Sequence, residues 1–411
     1  MCESGTTIFQ RVLSHRLGDE ISRNKVRLIF GARQTGKTVL LRQLLKEEQS
    51  IIFNLQDSRM RRRFESDPSS FSREIEALPP HISQIGVDEV QKVPALLDEV
   101  QYLYDKAPER WQFFLTGSSA RRLRTGAANL LPGRCHIYVV YPVVRPEEAC
   151  YSGRLPMQER VKGPHFPTQS LETALVAGAL PGIRKESAQS AASTLEAYVE
   201  VYLEEEIRRE ALVRDMGAFS NFIRLAALES GNQVNLSKLS VESGVPASTL
   251  KNFYQVLVDT FLGHRIPAYG RPSRKRVLST PRFLFIDLGV RNAAARLPLT
   301  PAILPESGGR LLEQWVGQEL VHRAGLAGTG FHISFWRTTT GAEVDWVLET
   351  PEEDIPIEVK WTRHPKPKDA RHLERFLAVH PDRANRGFVV CRSDRAQQLT
   401  PRITAIPWQE L

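Results

Sequence analysis

The chain has 411 residues, more than the roughly 250–300 at which a single hydrophobic core stops growing, so two or more domains are expected, each able to fold without covalent staples. With 41% hydrophobic and 25% charged residues it reads as ordinary globular protein, and no run of about 18 uncharged apolar residues is present to cross a bilayer. The net charge of +8 favours a polyanionic partner.

Cys2, Cys135, Cys150 and Cys391 are scattered, with no C-x-x-C pair and no histidine at zinc spacing, so neither disulfides nor structural zinc are indicated. Met1 to Gln10 lacks a basic stretch followed by an apolar core and cleavage site, and a cytoplasmic location with no membrane partner is expected.

Val26 to Phe30 is a short buried-strand pattern that ends in Gly31-Ala-Arg33-Gln34-Thr35-Gly36-Lys37-Thr38, and a helical pattern follows from Val39. This is G-x-x-x-x-G-K-T between strand and helix, the context in which it binds nucleotide. The backbone amides of Gly31 to Gly36 curl around phosphate oxygens, Lys37 neutralises β/γ-phosphate charge, and the Thr38 hydroxyl reaches Mg²⁺ at the helix N-terminus.

Ile85-Gly-Val-Asp88-Glu89 closes a second strand with two carboxylates. Asp88 is the candidate Mg²⁺ partner and Glu89 the residue that polarises the attacking water. Phe113 to Ser119 is a further strand ending in hydroxyls, of which Thr116 and Ser118 are candidates to sense the γ-phosphate or position water; capping of a following helix is the structural alternative. Arg134, before the strand Ile137 to Val140, is either an arginine finger reaching a neighbouring subunit's γ-phosphate or a structural arginine paired with a local carboxylate.

Pro142 to Pro167 is rich in Pro, Gly and charge and reads as a linker or surface loop. Leu171 to Arg209 is helical with a break at Ala179-Leu-Pro-Gly182, as in a small helical lid. Asn235 to Leu257 has helix-turn-helix spacing about Gly244, with Ser248, Thr249, Lys251 and Asn252 near the start of the second helix, where DNA is met. Two strand-like arms then flank a basic run in which Arg271, Arg274, Lys275 and Arg276 form a candidate phosphate-contacting wing tip.

The helical pattern around Leu311 carries Glu313 and, six residues on, Glu319, which cannot share one helical face. Beyond it, Glu343-Val-Asp345-Trp-Val-Leu348 and Ile355-Pro-Ile-Glu358-Val-Lys360-Trp361 read as two arms of a hairpin. Alternation places Glu343 with Asp345, and Glu358 with Lys360, on one face, with Val344, Trp346 and Leu348 on the other. A symmetric turn over Thr350 to Asp354 sets Asp345 opposite Glu358. Facing carboxylates repel, so a cation between them is expected. Mg²⁺ held by Glu313, Asp345 and Glu358, with Lys360 orienting or deprotonating water, makes a candidate nuclease centre.

Gly31 to Thr38, Val87-Asp-Glu-Val-Gln-Lys-Val-Pro, Leu115-Thr-Gly-Ser-Ser, Gly178-Ala-Leu-Pro-Gly182, Phe285-Ile-Asp-Leu-Gly-Val, Gly341-Ala-Glu-Val-Asp and Ile357-Glu-Val-Lys together give a resemblance over nearly the whole chain. They resemble the bacterial and archaeal AAA+ ATPases that carry a C-terminal domain of unknown function related to PD-(D/E)xK nucleases, and the order of the acidic motif is similar to that of archaeal Holliday-junction resolvases. The resemblance implies an α/β chain: a parallel-sheet P-loop ATPase core over 1–145, a linker and helical lid over 146–215, a winged helix over 216–280, and a restriction-endonuclease-like domain over 281–411.

ATP and Mg²⁺ are the implied cofactors. Branched or duplex DNA is the expected partner, and the assembly is a homo-oligomeric ring or partial ring, with a hexamer as the candidate size. The expected activity is ATP hydrolysis coupled to moving or remodelling branched DNA, with Mg²⁺-dependent strand cleavage attached. The alternative is a nucleotide-dependent switch whose nuclease-like domain binds protein.

Overall fold

Short apolar runs with no polar alternation become strands buried on both faces, which is what a parallel sheet covered by crossover helices requires. The computed structural model describes residues 8–18, 24–119, 131–157, 160–203, 215–270 and 280–411. They fall into two compact units, Arg11–Tyr141 with Asp259–Phe261, and the remainder.

In the first unit, β1 (Val26–Phe30), β2 (Ser50–Asn54), β3 (Gln84–Asp88), β4 (Gln112–Gly117) and β5 (Cys135–Val139) form a sheet in the order β2-β3-β4-β1-β5. All its pairings are parallel. Helices α1 (Val12–Gly18), α2 (Lys37–Leu44), α3 (Ser58–Ser66), α4 (Ser69–Glu76) and α5 (Leu96–Lys106) accompany it. In α5, Leu96, Val100 and Leu103 recur at helical spacing and are buried, while Asp98 and Glu99 in the first turn and Lys106 in the last complement the helix dipole. Because β3, β4 and β1 are adjacent and parallel, their carboxyl ends and the loops leaving them lie side by side, the usual ligand crevice of an open α/β sheet.

The second unit holds α6 (Leu171–Ala177) and α7 (Ala188–Ala197), separated by the Ala179–Gly182 break, then α8 (Met216–Leu228), α9 (Leu236–Ser243) and α10 (Ala247–Asp259). The Asn235 side chain caps α9 by accepting the Lys238 amide at 2.9 Å, and Gly244 ends it at φ 68°. Strands β6 (Gly263–Ile266) and β7 (Arg282–Phe285) pair antiparallel, and Phe219, Phe222, Phe253, Tyr254 and Phe283 stack edge-on or tilted to join α8, α10 and β7.

After α11 (Leu288–Ala294) and α12 (Leu304–Ala327), a mixed sheet of β8 (His332–Arg337), β9 (Glu343–Glu349), β10 (Asp354–Val359), β11 (Gly387–Cys391), β12 (Gln397–Gln398) and β13 (Ile403–Pro407) runs in the order β12-β13-β11-β10-β9-β8. One face packs Trp346, Leu348, Ile355 and Ile357 with Leu312, Trp315 and Val316 of α12. The other packs Val344, Val347, Val389 and Ala405 with Leu373, Phe376 and Leu377 of α13 (Arg371–Val379).

Two expectations are corrected. Val344 does not share a core with Trp346 and Leu348: the β8–β9 register slips between Ser334 and Trp336, and a bulge reverses which face a residue meets. Residues 142–148, expected as linker or surface loop, are buried. Their charges are paired rather than solvated, with Arg145 on Glu148 and on the carbonyls of Cys150 and Gln409.

Candidate functional site

At the carboxyl end of β1 the chain turns sharply into α2. Gly31 sits at φ 155°, and a Cβ there would lie 2.5 Å from the Val140 carbonyl oxygen, so only glycine fits. Gln34 takes φ 62° and Gly36 φ 91°, bending the Arg33–Gly36 backbone into the helix. Thr35 is fully buried and its hydroxyl donates to the Ala32 carbonyl at 2.9 Å. The Lys37 ammonium donates to the carbonyls of Gly31 and Ala32 at 3.0 and 2.9 Å, held directly over the loop.

Asp88, 1% exposed, accepts the Thr38 hydroxyl at 2.9 Å on Oδ2 and the Thr116 hydroxyl at 2.5 Å on Oδ1. Thr116 Oγ1 in turn accepts the Glu89 amide at 3.1 Å. Glu89 occupies the left-handed region at φ 65°, which folds the chain back so that Gln91 Nε2 donates to Glu89 Oε2 at 2.5 Å and to Ser118 Oγ at 2.8 Å. Ser118 also donates to Glu89 Oε2 at 3.3 Å.

The donor set fits a nucleotide with its magnesium: Thr38 and Asp88 converge to hold the ion, Lys37 stands over the loop, and Glu89 is fixed to receive a water. The ion supplies charge neutralisation between the β- and γ-phosphates when bound.

Two residues of this site have weak sequence signals. Gln91 lies two positions after Glu89, and nothing in its spacing says that the strained turn at Glu89 brings it back. Arg11, 6% exposed, donates to the Thr35 carbonyl at 2.9 Å and the Tyr141 carbonyl at 2.6 Å, pinning the loop from far upstream.

Arg134 is not brought to this site. It precedes β5, at the amino end of a strand parallel to β1 and therefore at the sheet edge opposite the loop. Asp105 takes it in a two-bond ion pair at 2.6 and 3.0 Å, which holds the guanidinium charged. Within this chain its partner is a local carboxylate, and a role toward a neighbouring subunit is a matter for the oligomer.

In the second unit, β9 and β10 pair from Glu349 with Asp354 to Trp346 with Ile357. The turn closes tightly, with the Thr350 amide donating to the Glu353 carbonyl at 2.9 Å. Just beyond the last pair, Ile357 with Trp346, the Val359 amide donates to Asp345 Oδ2 at 2.8 Å, which brings Asp345 beside the end of β10 that carries Glu358.

Trp346 brings in α12. Its indole N–H donates to the Glu313 carbonyl at 3.1 Å, and Gly317 leaves room for its ring, a Cβ there falling 2.3 Å from Trp346 Cζ2. Glu313 thus joins the cluster and Glu319 does not. Glu319 is buried elsewhere, accepting the Arg145 amide at 2.9 Å, and burial pushes its carboxyl up to about 7 against the pull of Arg323 and Arg145.

Within the cluster, burial first and neighbouring carboxylates second raise Glu313, and the same holds for Glu358. Burial likewise raises Asp345, although the Val359 amide and Lys360 oppose it. For Lys360 burial acts downward, but Glu358 and Asp345 outweigh it and the net direction is up.

The donor set does not fit the Mg²⁺ expected here. Arg282, 4% exposed, donates to Glu313 Oε1 at 3.3 Å, to the Asp345 carbonyl at 3.0 Å and to Glu343 Oε1. Lys360 donates to Glu358 Oε1 at 2.6 Å. Among the described residues no group of three or more His, Cys, Asp and Glu side chains is gathered closely enough to cage an ion.

Of the candidate DNA contacts, Ser248 and Lys251 are exposed on α10 and Thr249 is half-buried. Arg271, Arg274, Lys275 and Arg276 lie outside the described residues. No helix among the described residues is long and apolar enough to cross a membrane.

Residues 168–300 match a Domain of unknown function (DUF8612), and residues 308–411 match a Domain of unknown function (DUF4143). Two uncharacterized proteins, Rv2008c of Mycobacterium tuberculosis and Mb2031c of Mycobacterium bovis, are each 22% identical over 359 residues, covering 87% of this chain and 75% of theirs. Among solved structures, a Pif1 helicase from Bacteroides in complex with ADP-AlF3 and ssDNA aligns at 12% identity and TM-score 0.26, over 47% of this chain and 50% of that one. Protein VC1899 from Vibrio cholerae aligns at 13% identity and TM-score 0.18, over 93% and 94%. At such TM-scores neither alignment carries an argument. Residues 23–147, which contain the loop, Asp88, Glu89 and Thr116, match an AAA domain, and the chain therefore carries a P-loop ATPase domain of the AAA type.

Proposed function

We propose that the chain binds DNA and couples ATP hydrolysis to moving or remodelling it, as a homo-oligomer. The observation that carries the ATPase half is the convergence of Lys37, Thr38, Asp88 and Glu89 through Thr116 at the carboxyl ends of adjacent parallel strands. In this reading Lys37 holds the β/γ-phosphates, Thr38 and Asp88 keep the magnesium, and Glu89, fixed by Gln91 and Ser118, orients the attacking water.

The DNA half is supported by α9 and α10 meeting at Gly244, with Ser248 and Lys251 exposed on the second helix and the β6–β7 pair packed against it through Phe283 and Tyr254. The chain's net charge of +8 agrees with a phosphate-bearing partner. Branched DNA is the substrate class to test first against plain duplex.

ATP turnover of the full chain is measured alone and with duplex, forked and four-way DNA, in parallel with Lys37→Ala and Lys251→Glu. The reading expects turnover to be stimulated by DNA, lost in Lys37→Ala, and unstimulated in Lys251→Glu with basal turnover kept. If all three DNAs leave turnover unchanged and none binds, the DNA half is wrong.

A second reading, a nucleotide-dependent switch with a protein partner, is favoured by one observation: Arg282 and Lys360 already engage carboxylates of the C-terminal acidic cluster. Nucleotide-dependent change of oligomeric state with no DNA affinity would select it.

A further inference from the structure

Arg282 is the first residue of β7, yet its guanidinium does no work within the β6–β7 pair. It reaches Glu313 on α12, and Glu343 and the Asp345 carbonyl on β9, so one planar cation bonds two other elements. It also lies over the rings of Phe335, at 4.8 Å, and Trp346, at 5.5 Å. Two aromatic faces and three oxygen acceptors make a built site for a guanidinium, which keeps its charge at any accessible pH.

The carboxylates that sequence assigns to a divalent ion are divided among partners. Glu313 faces Arg282, Asp345 takes the Val359 amide, and Glu358 gives Oε1 to Lys360; Glu343, outside that set, also pairs with Arg282. Glu358 Oε2 is buried with no hydrogen-bond partner, so one acceptor remains that a further cation could use if space allowed. A magnesium ion needs about six oxygens at about 2.1 Å, waters included, and repels a guanidinium bonded to one of its acids, Glu313, and to the backbone carbonyl of another, Asp345.

We propose that Arg282 stands where a divalent cation would otherwise bind, so that this acidic cluster is a protein-neutralised centre that takes no metal and joins β7, β9 and α12. Removing the guanidinium while keeping its bulk should open a metal site from Glu313, Asp345 and Glu358.

The test uses the full chain without nucleotide and with Asp88→Asn, to silence the ATPase magnesium partner. Mn²⁺ is titrated by calorimetry, and Tb³⁺ by luminescence sensitised by the chain's tryptophans, among them Trp346, which bonds the Glu313 carbonyl. The Asp88→Asn chain is expected to show no saturable site that depends on Glu313 or Glu358, and Arg282→Met added to it to gain one, with at least tenfold tighter Mn²⁺ binding that Glu358→Gln abolishes.

A stoichiometric Mn²⁺ site in the Arg282-containing chain that disappears in Glu313→Gln or Glu358→Gln would overturn the proposal. So would an Arg282→Met chain folded by circular dichroism that gains no site. If Arg282→Met fails to fold, the titrations of the Arg282-containing chain and its two glutamine variants decide alone.

Discussion

The Thr116 hydroxyl donates to Asp88 Oδ1 at 2.5 Å and accepts the Glu89 amide at 3.1 Å, so a single hydroxyl on β4 fixes both acidic residues at the end of β3. A parallel neighbour supplies this contact because the two strands end at the same height.

Thr116→Val keeps the shape and removes both hydrogen bonds. The bond to the Asp88 carboxylate contributes about 1.5–3 kcal/mol and the one from the neutral Glu89 backbone amide about 0.5–1.5 kcal/mol. ATP turnover is expected to fall roughly 10- to 100-fold, while binding of a non-hydrolysable analogue stays within a few-fold. Unchanged turnover would show that Asp88 and Glu89 hold their positions without it.

Gln91 donates to Glu89 Oε2 and to Ser118 Oγ, so its proposed part is to hold the Glu89 carboxylate in place. Gln91→Ala should lower kcat about tenfold with KM for ATP unaltered, since only the water-directing carboxylate is released. A change confined to KM would place Gln91 in nucleotide binding instead.

Arg134 and Asp105 form an exposed ion pair at the edge of the sheet opposite the loop. Steady-state ATPase of Arg134→Ala, at concentrations spanning assembly, should match the parent at every point. A drop in turnover on assembly would restore the arginine-finger role.

Glu319 titrates near 7 when folded, above the usual 4.5, because it is buried. A raised carboxyl binds its proton more tightly in the folded chain, so folding stability falls as pH rises from about 4.5 to about 7. Glu319→Gln retains the acceptor for the Arg145 amide and lacks this slope. Denaturant unfolding at pH 4.5 and 7.5 should therefore show the variant gaining on the parent by on the order of 3 kcal/mol. Parallel pH curves would refute the shift.

Gly317→Ala puts a methyl group against the Trp346 ring, where the Cβ falls 2.3 Å from Cζ2. Thermal unfolding should show a loss of about 1–3 kcal/mol from overpacking, and Trp346 fluorescence should change as the ring is displaced. Equal stability would mean that α12 shifts freely.

The loop was legible because its function depends on local backbone shape: glycines at Gly31 and Gly36, then Lys37 and Thr38 opening a helix, are one contiguous segment whose spacing sets the geometry. Asp88 with Glu89 was legible for the same reason, as was the β9–β10 register, since a short turn fixes which residues oppose. Where the signal depended on contacts across the fold, it failed. The slip between Ser334 and Trp336 moved Val344 to the other face, and the burial of residues 142–148 followed from partners as remote as Gln409.

The sequence by itself determined the strand-loop-helix of the ATP site and the pairing of β9 with β10 from Glu349 with Asp354 to Trp346 with Ile357, because both follow from local backbone periodicity and a short turn. Only the tertiary structure decided that Gln91 meets Glu89 and Ser118, that Arg11 pins the loop, that Arg134 pairs with Asp105, and that Arg282 lies among the acids. Those choices depend on which side chains distant strands and helices bring within a few ångströms, and hydrogen bonds and charge pairs of that kind leave no period in the chain.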